Sequence, residues 1–255
     1  MTSVLLLLFV AGIGLTQAVS DPQAVTLRWL RLGGINAVTL LALGVVVRAM
    51  TVDHTPPTIW LGFALVAVPV VAQLMLVQLA KRTAQRIAAV LTYLLGCAVA
   101  TYATMPEPAI TSQTLLSGLT MLISAGLLGG FLMTMLLGHA YLTSGNEMTQ
   151  SPFERLVIVL VVLLGLRLVG SAGLALYPWW SAIDYPRPRL WTVMMIVARY
   201  LVGLAVPILF TLMSWECVRR RANQSATGIL YVACVLVIIG EGIALNVQAE
   251  LGPAV

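Results

Sequence analysis

The chain has 255 residues, 60% hydrophobic and 9% charged, with a formal net charge of +5 and a mean hydropathy of +0.99. An ordinary soluble domain is about 25% charged and 45–50% apolar, so the composition excludes a water-soluble globule, a disordered chain and a nucleic-acid-binding domain. The long unbroken apolar runs also exclude an outer-membrane barrel, whose strands alternate in short segments, and leave an all-α polytopic membrane protein whose positive charge reports topology.

A helix needs about 20 apolar residues to cross ~30 Å of hydrocarbon. Eight stretches meet that length, at 4–20, 25–50, 58–80, 87–105, 114–143, 153–177, 190–217 and 226–247. Breaker sequences divide them: Asp21-Pro22, His54-Thr55-Pro56-Pro57, Pro106-Glu107-Pro108, Ser144-Gly145-Asn146 and the segment from Pro178 to Pro188. Proline lacks an N–H and clashes with the preceding turn, so it ends helices. The first stretch comes after Met1-Thr2-Ser3, which lacks the basic residues of a secretory signal, and is read as a true span. The second opens with Arg28 and Arg31. The turn into the fourth holds Lys81, Arg82 and Arg86, the sixth opens at Arg155, and Arg219, Arg220 and Arg221 come after the seventh. These nine cations share one side, against Arg48, Arg187 and Arg189 on the other. Lys and Arg collect in cytoplasmic loops, so the expected location is a cell inner membrane with both termini on the outer side. Trp60, Tyr177, Trp179, Trp180, Tyr185 and Trp191 fall at the outer boundary, and Trp29, Tyr141 and Trp215 at the inner one. Rings with a polar edge favour the headgroup zone, and these read as aromatic belts.

The third and seventh stretches resemble one another at an offset of 138. AVPVVAQLMLVQLAKR around Pro69 matches AVPILFTLMSWECVRR around Pro207, down to the mid-helix proline and the basic turn. A weaker match sets the first stretch against the fifth, with Gln17 opposite His139. The expected architecture is two tandem four-helix units, 1–110 as scaffold and 111–255 as the half with the site. They share one orientation because four spans per unit is an even number. The tandem layout resembles that of haem A synthases, but the paired histidines of that family are absent and the likeness transfers no function.

Cys97, Cys217 and Cys234 show no CxxC spacing and read as small apolar fillers. The fifth stretch carries Gly126-xxx-Gly130, a close-packing signal between membrane helices. Near its inner end stands His139, four residues after Met135 and two before Tyr141. Histidine suits proton exchange near neutral pH and metal or haem ligation, so His139 is the candidate for a haem, quinone or metal contact, with Tyr141 close by. The sixth, seventh and eighth stretches each carry one buried-depth charge: Arg167, Arg199 and Glu241. At ~1.5 Å per residue the three fall ~10–15 Å below the outer boundary. An ionisable residue at that depth is costly and marks a site by default. Two cations and one anion suit a carboxylate or phosphate group, or an internal Arg–Glu–Arg network. Repeat alignment sets Arg199 against Leu61 and Glu241 against Ala103.

No P-loop, Ser-His-Asp set, HExxH helix or prenyl diphosphate motif is present. The expected function is an integral membrane subunit of a respiratory or other redox complex in electron transport. It would bind a quinone, haem b or lipid through His139, Tyr141, Arg167, Arg199 and Glu241, amid the lipid bilayer and other membrane subunits. The alternatives are a transporter of a small organic anion and a membrane enzyme acting on lipid. Topology is directly testable in a chain whose native cysteines are replaced. Single cysteines at 83 and 222 should label from the cytoplasmic side, and those at 107 and 184 from outside. External labelling at 83 overturns the orientation.

Overall fold

The computed structural model describes residues 1–21, 24–52, 54–104, 112–143, 149–181 and 190–251, with side chains left aside at 112–113, 172–181 and 249–251. Among the described residues the chain is helical throughout, without strands. The helices are α1 (Thr2–Val19), α2 (Leu27–Thr51), α3 (Pro57–Gln78), α4 (Arg82–Thr104), α5 (Ser112–Thr143), α6 (Ser151–Ser181), α7 (Leu190–Tyr200), α8 (Val206–Arg219) and α9 (Asn223–Leu251). A π-turn over Leu201–Ala205 joins α7 to α8 as one continuous rod. Seven of these units are long and apolar enough to cross a membrane, the rod counted once. The eighth, α6, is 31 residues long and carries Glu154, Arg155 and Arg167. This is a multi-pass membrane fold of seven or eight spans.

Local chemistry explains the helix ends. The Thr26 hydroxyl accepts the Trp29 N–H and caps α2, while Pro57 opens α3 where no N–H is needed. After α3 and after α8 the chain closes through the same Schellman motif. Lys81 N–H donates to Leu76 O and Ala80 N–H to Val77 O; Ala222 N–H donates to Cys217 O and Arg221 N–H to Val218 O. Ala80 and Arg221 take the positive φ, 54° and 57°, that the motif requires. The two caps differ in phase: Ala80 lies eleven residues after Pro69, and Arg221 fourteen after Pro207.

α1 and α5 bury most of their length and form the centre. α1 packs on α2, α4 and α5, and α3 completes a ring with α2 and α4. α5 packs on α6 and α9, and the rod completes a second ring with α6 and α9. Residues 20–21, 24–28, 82, 139–143, 149–155 and 218–223 gather at one end, the basic end. The α1–α5 seam is backbone against backbone. A Cβ on Gly12 would fall 1.8 Å from the Ala125 carbonyl oxygen, and one on Gly129 would fall 2.1 Å from the Gly12 carbonyl carbon.

Two boundary aromatics lie elsewhere than the sequence suggests. Trp29 is 2% exposed, and its indole N–H donates to the Met133 carbonyl at 3.0 Å. It fills the gap between the start of α2 and the last turns of α5, and does not sit in a belt. Tyr141 is also buried, stacked on Phe153 at 5.3 Å between centroids. Trp191 is exposed and Trp60 half-buried, as belt residues are. Tyr177, Trp179, Trp180, Tyr185, Arg187 and Arg189 lie outside the described side chains, as does the junction between 1–110 and 111–255. Cys97 and Cys234 are buried free thiols and Cys217 is half-buried.

The seam makes a size limit. Gly12→Val should lower the unfolding midpoint of the detergent-solubilised chain by ~5 °C or more, since overpacking costs ~1–3 kcal/mol even where side chains can yield. Gly165→Ala, where a Cβ meets nothing within 4 Å, should leave the midpoint unchanged.

Candidate functional site

Three polar assemblies stand out inside this apolar fold. The first lies in the α1–α4 ring, where Gln17, Gln73, Gln85 and Thr92 are each 0% exposed. Gln17 donates its amide to the Leu30 carbonyl at 2.9 Å, and its own oxygen accepts the amides of Gln73 and, at 2.7 Å, Gln85. Thr92 donates to Gln73 at 3.3 Å. Every helix of the ring contributes one group. Buried amides without partners cost ~2–7 kcal/mol each, so this mesh ties the four helices to one register. A search by charge passes over it; the signal in the sequence is Gln17 and Gln73 in apolar helices, while Gln85 stands between Arg82 and Arg86 and gives none.

The second assembly lies in the other ring and gathers the three charges expected from the sequence. Arg199 Nη2 donates to Glu241 Oε1 at 2.9 Å, and Arg167 Nη2 donates to Oε2 at 3.3 Å. The Ser124 hydroxyl also donates to this carboxylate. Here too each helix contributes, from α5, α6, the rod and α9. Arg167 is 3% exposed, Glu241 1% and Arg199 0%. Both carboxylate oxygens are occupied, so Glu241 is no free base. The guanidinium groups are less satisfied: Arg167 Nε, Arg199 Nε and Arg199 Nη1 have no hydrogen-bond partner, and neither does the neighbouring Ser171 Oγ.

The third assembly is a groove of about 660 Å³ at the basic end, between α2, α4 and α5. His139 opens into it, with Arg28 and Arg82 across from it and Thr26 and Thr143 at its rim. Val25, Leu27, Leu32 and Leu136 form its apolar wall. Arg28 and His139 are exposed. His139 therefore stands apart from the Arg–Glu–Arg group: it is fifteen residues along α5 from Ser124, and the groove it lines is shared with α2 and α4. Tyr141 does not join it: its hydroxyl donates to the Thr149 carbonyl, which closes the corner from α5 to α6. Met135 is half-buried one turn before His139. Among the described residues no three His, Cys, Asp or Glu side chains gather as metal ligands, and the groove's lining holds no second histidine and no thiol or carboxylate.

No protein-family model, no curated protein and no solved structure matches this chain.

The charge arithmetic of the ionic group orders its variants. Glu241→Gln leaves two buried cations without an anion and should be the most damaging, by ~3–5 kcal/mol. Arg199→Gln removes the shorter contact and should come second. Arg167→Gln leaves a neutral Arg199–Glu241 pair and should be the mildest. Unfolding midpoints of the three variants in one detergent give the order, and Arg167→Gln as the worst of them contradicts the pairing.

Proposed function

We propose that this chain is an integral membrane subunit that seats the phosphate head of an anionic lipid in the groove at its basic end, within a larger redox complex of a cell inner membrane. The groove carries this reading. Two arginines and a histidine face one another across about 660 Å³, beside an apolar wall that suits acyl chain. Basic pockets between helices at the cytoplasmic surface are the sites where acidic head groups are held, and Arg matches phosphate oxygens with a planar fork of donors. In this reading the chain consists of two four-helix units, 1–110 and 111–255, repeated in tandem, with the basic end cytoplasmic and both termini outside. The two rings of helices joined at the α1–α5 seam support that division.

A quinone is the second reading, and the position of His139 favours it. The imidazole lines the groove, and among the described lining residues there is no carboxylate, so a quinone oxygen has a proton donor within an apolar-walled opening. Haem b is supported less, because the groove offers a single histidine and no second axial ligand. A transporter of organic anions usually draws its site from both halves, whereas among the described residues the α1–α4 ring buries no charged side chain. A lipid enzyme needs a base, and Glu241 is fully engaged.

Vesicle composition separates lipid from quinone. Reconstituted into phosphatidylcholine with phosphatidylglycerol, the chain should unfold at higher temperature than in phosphatidylcholine alone, by the worth of ~1 kcal/mol per basic side chain. The double variant Arg28→Gln, Arg82→Gln should lose that gain and retain no anionic lipid in native mass spectrometry, while His139→Gln keeps both. If His139→Ala instead abolishes retention of an added ubiquinone and the arginine pair has no effect on lipid, the quinone reading replaces this one.

A further inference from the structure

We propose that one small monovalent anion, a halide or a carboxylate, binds against Arg167 and Arg199 inside the α5–α9 ring, a site separate from the groove at the basic end. The charge count is the first ground. Two guanidinium groups and one carboxylate sum to +1, and all three are 3% exposed or less. A net charge at that depth in an apolar fold needs a counter-charge, and one monovalent anion supplies it.

Hydrogen bonding is the second ground. Glu241 receives one N–H from each arginine and the hydroxyl of Ser124, which fills its acceptor capacity in this direction. Arg167 Nε, Arg199 Nε, Arg199 Nη1 and Ser171 Oγ remain as donors without acceptors. Arg167 and Ser171 are one turn apart on α6, on the same face. Tyr200 donates to the Ser171 carbonyl at 3.1 Å and pins that turn against the rod. An anion is a pure acceptor and answers donors of this set that it can reach; a cation or an apolar molecule answers none.

The third ground is the packing around Arg199. The Gly203 and Gly240 backbones cross in close contact, and a Cβ on either would also fall 3.0 Å from Arg199 Nη1. That end of the guanidinium thus rests against packed backbone and finds no acceptor there. Single π-turns inside α-helices occur often at functional sites, and this one begins two residues after Arg199. The site is thus built from a paired cation set and unpartnered donors beside a close glycine crossing.

The test uses the purified full chain in detergent, with bromide, formate and gluconate as probes at constant ionic strength. The unfolding midpoint should rise with bromide or formate and level off, as binding to a single site requires, while gluconate, too large for the site, has no effect. Bromide displaced by formate at millimolar concentration identifies a carboxylate site; bromide retained identifies a halide site. Arg167→Gln leaves a neutral Arg199–Glu241 pair, so it should stay folded and weaken the response about tenfold or more. Ser171→Ala, which removes one unpartnered donor and leaves all charges in place, should weaken it as well. Equal midpoints in bromide, formate and gluconate overturn the proposal, and so does an Arg167→Gln chain that responds as strongly as the original.

Discussion

Gly12 and Gly129 bring the backbones of α1 and α5 into contact, and the positions of the groove and of both polar centres depend on that contact. Lipid tails are as apolar as leucine, so membrane helices gain little from burying apolar side chains against one another and must associate through close packing and hydrogen bonds. Two missing Cβ atoms let α5 lie against α1 without a layer of side chains between them. The end of α5 then meets the start of α2, where Trp29 reaches the Met133 carbonyl, and the notch left between α2, α4 and α5 becomes the groove. A second glycine contact works with it. A Cβ on Gly33 would fall 2.0 Å from the Gln17 amide nitrogen, so α2 comes near enough for Gln17 to reach the Leu30 carbonyl.

Each ring then solves the problem of burying polar groups in its own way. The α1–α4 ring uses neutral amides, which avoid the desolvation cost of charge. Gln17 is the hub, and only the Gln85 side-chain oxygen is left without a partner among the amides around it. The α5–α9 ring uses charge. Its attraction is stronger in a low dielectric, but the penalty for removing ions from water is larger too, and the balance is favourable only where geometry and further hydrogen bonds are good. The two rings thus hold polar centres of different kinds. The amide ring holds a register, and the ionic ring keeps donors to spare.

The sequence discloses what periodicity and charge can disclose. Helix positions can be read from the apolar runs, and the three intramembrane charges fall at one depth because each interrupts an apolar helix. Their mutual contacts are dictated by cost, since isolated ions would not stay. Gln17, Gln73 and Gln85 are less legible because a neutral amide carries no such flag, and their meeting depends on how α1, α3 and α4 rotate against one another. Trp29 shows the same limit. A tryptophan at a helix boundary suits a belt or a core, and only the packing of α2 on α5 decides. Arg28 and Arg82 read in the sequence as topology signals alone; their placement opposite His139 is a tertiary fact, produced by the α1–α5 seam.

Pro69 and Pro207 show how a small local difference separates two similar helices. A proline in a helix clashes with the carbonyl four residues earlier and removes one hydrogen bond. α3 continues through Pro69 as an α-helix. At Pro207 the carbonyl concerned belongs to Gly203, which packs against Gly240 on α9 and has little freedom to move aside. The rod widens there instead, and Val206 N–H donates to the Leu201 carbonyl five residues back. One extra residue in a turn rotates α7 by ~100° relative to α8. The two helices therefore present different faces before their prolines. Leu61, 138 residues before Arg199, is 61% exposed, whereas Arg199 is fully buried. A cation at position 61 would face the lipid, where it is costly; the π-turn sets the face on which Arg199 points toward Glu241.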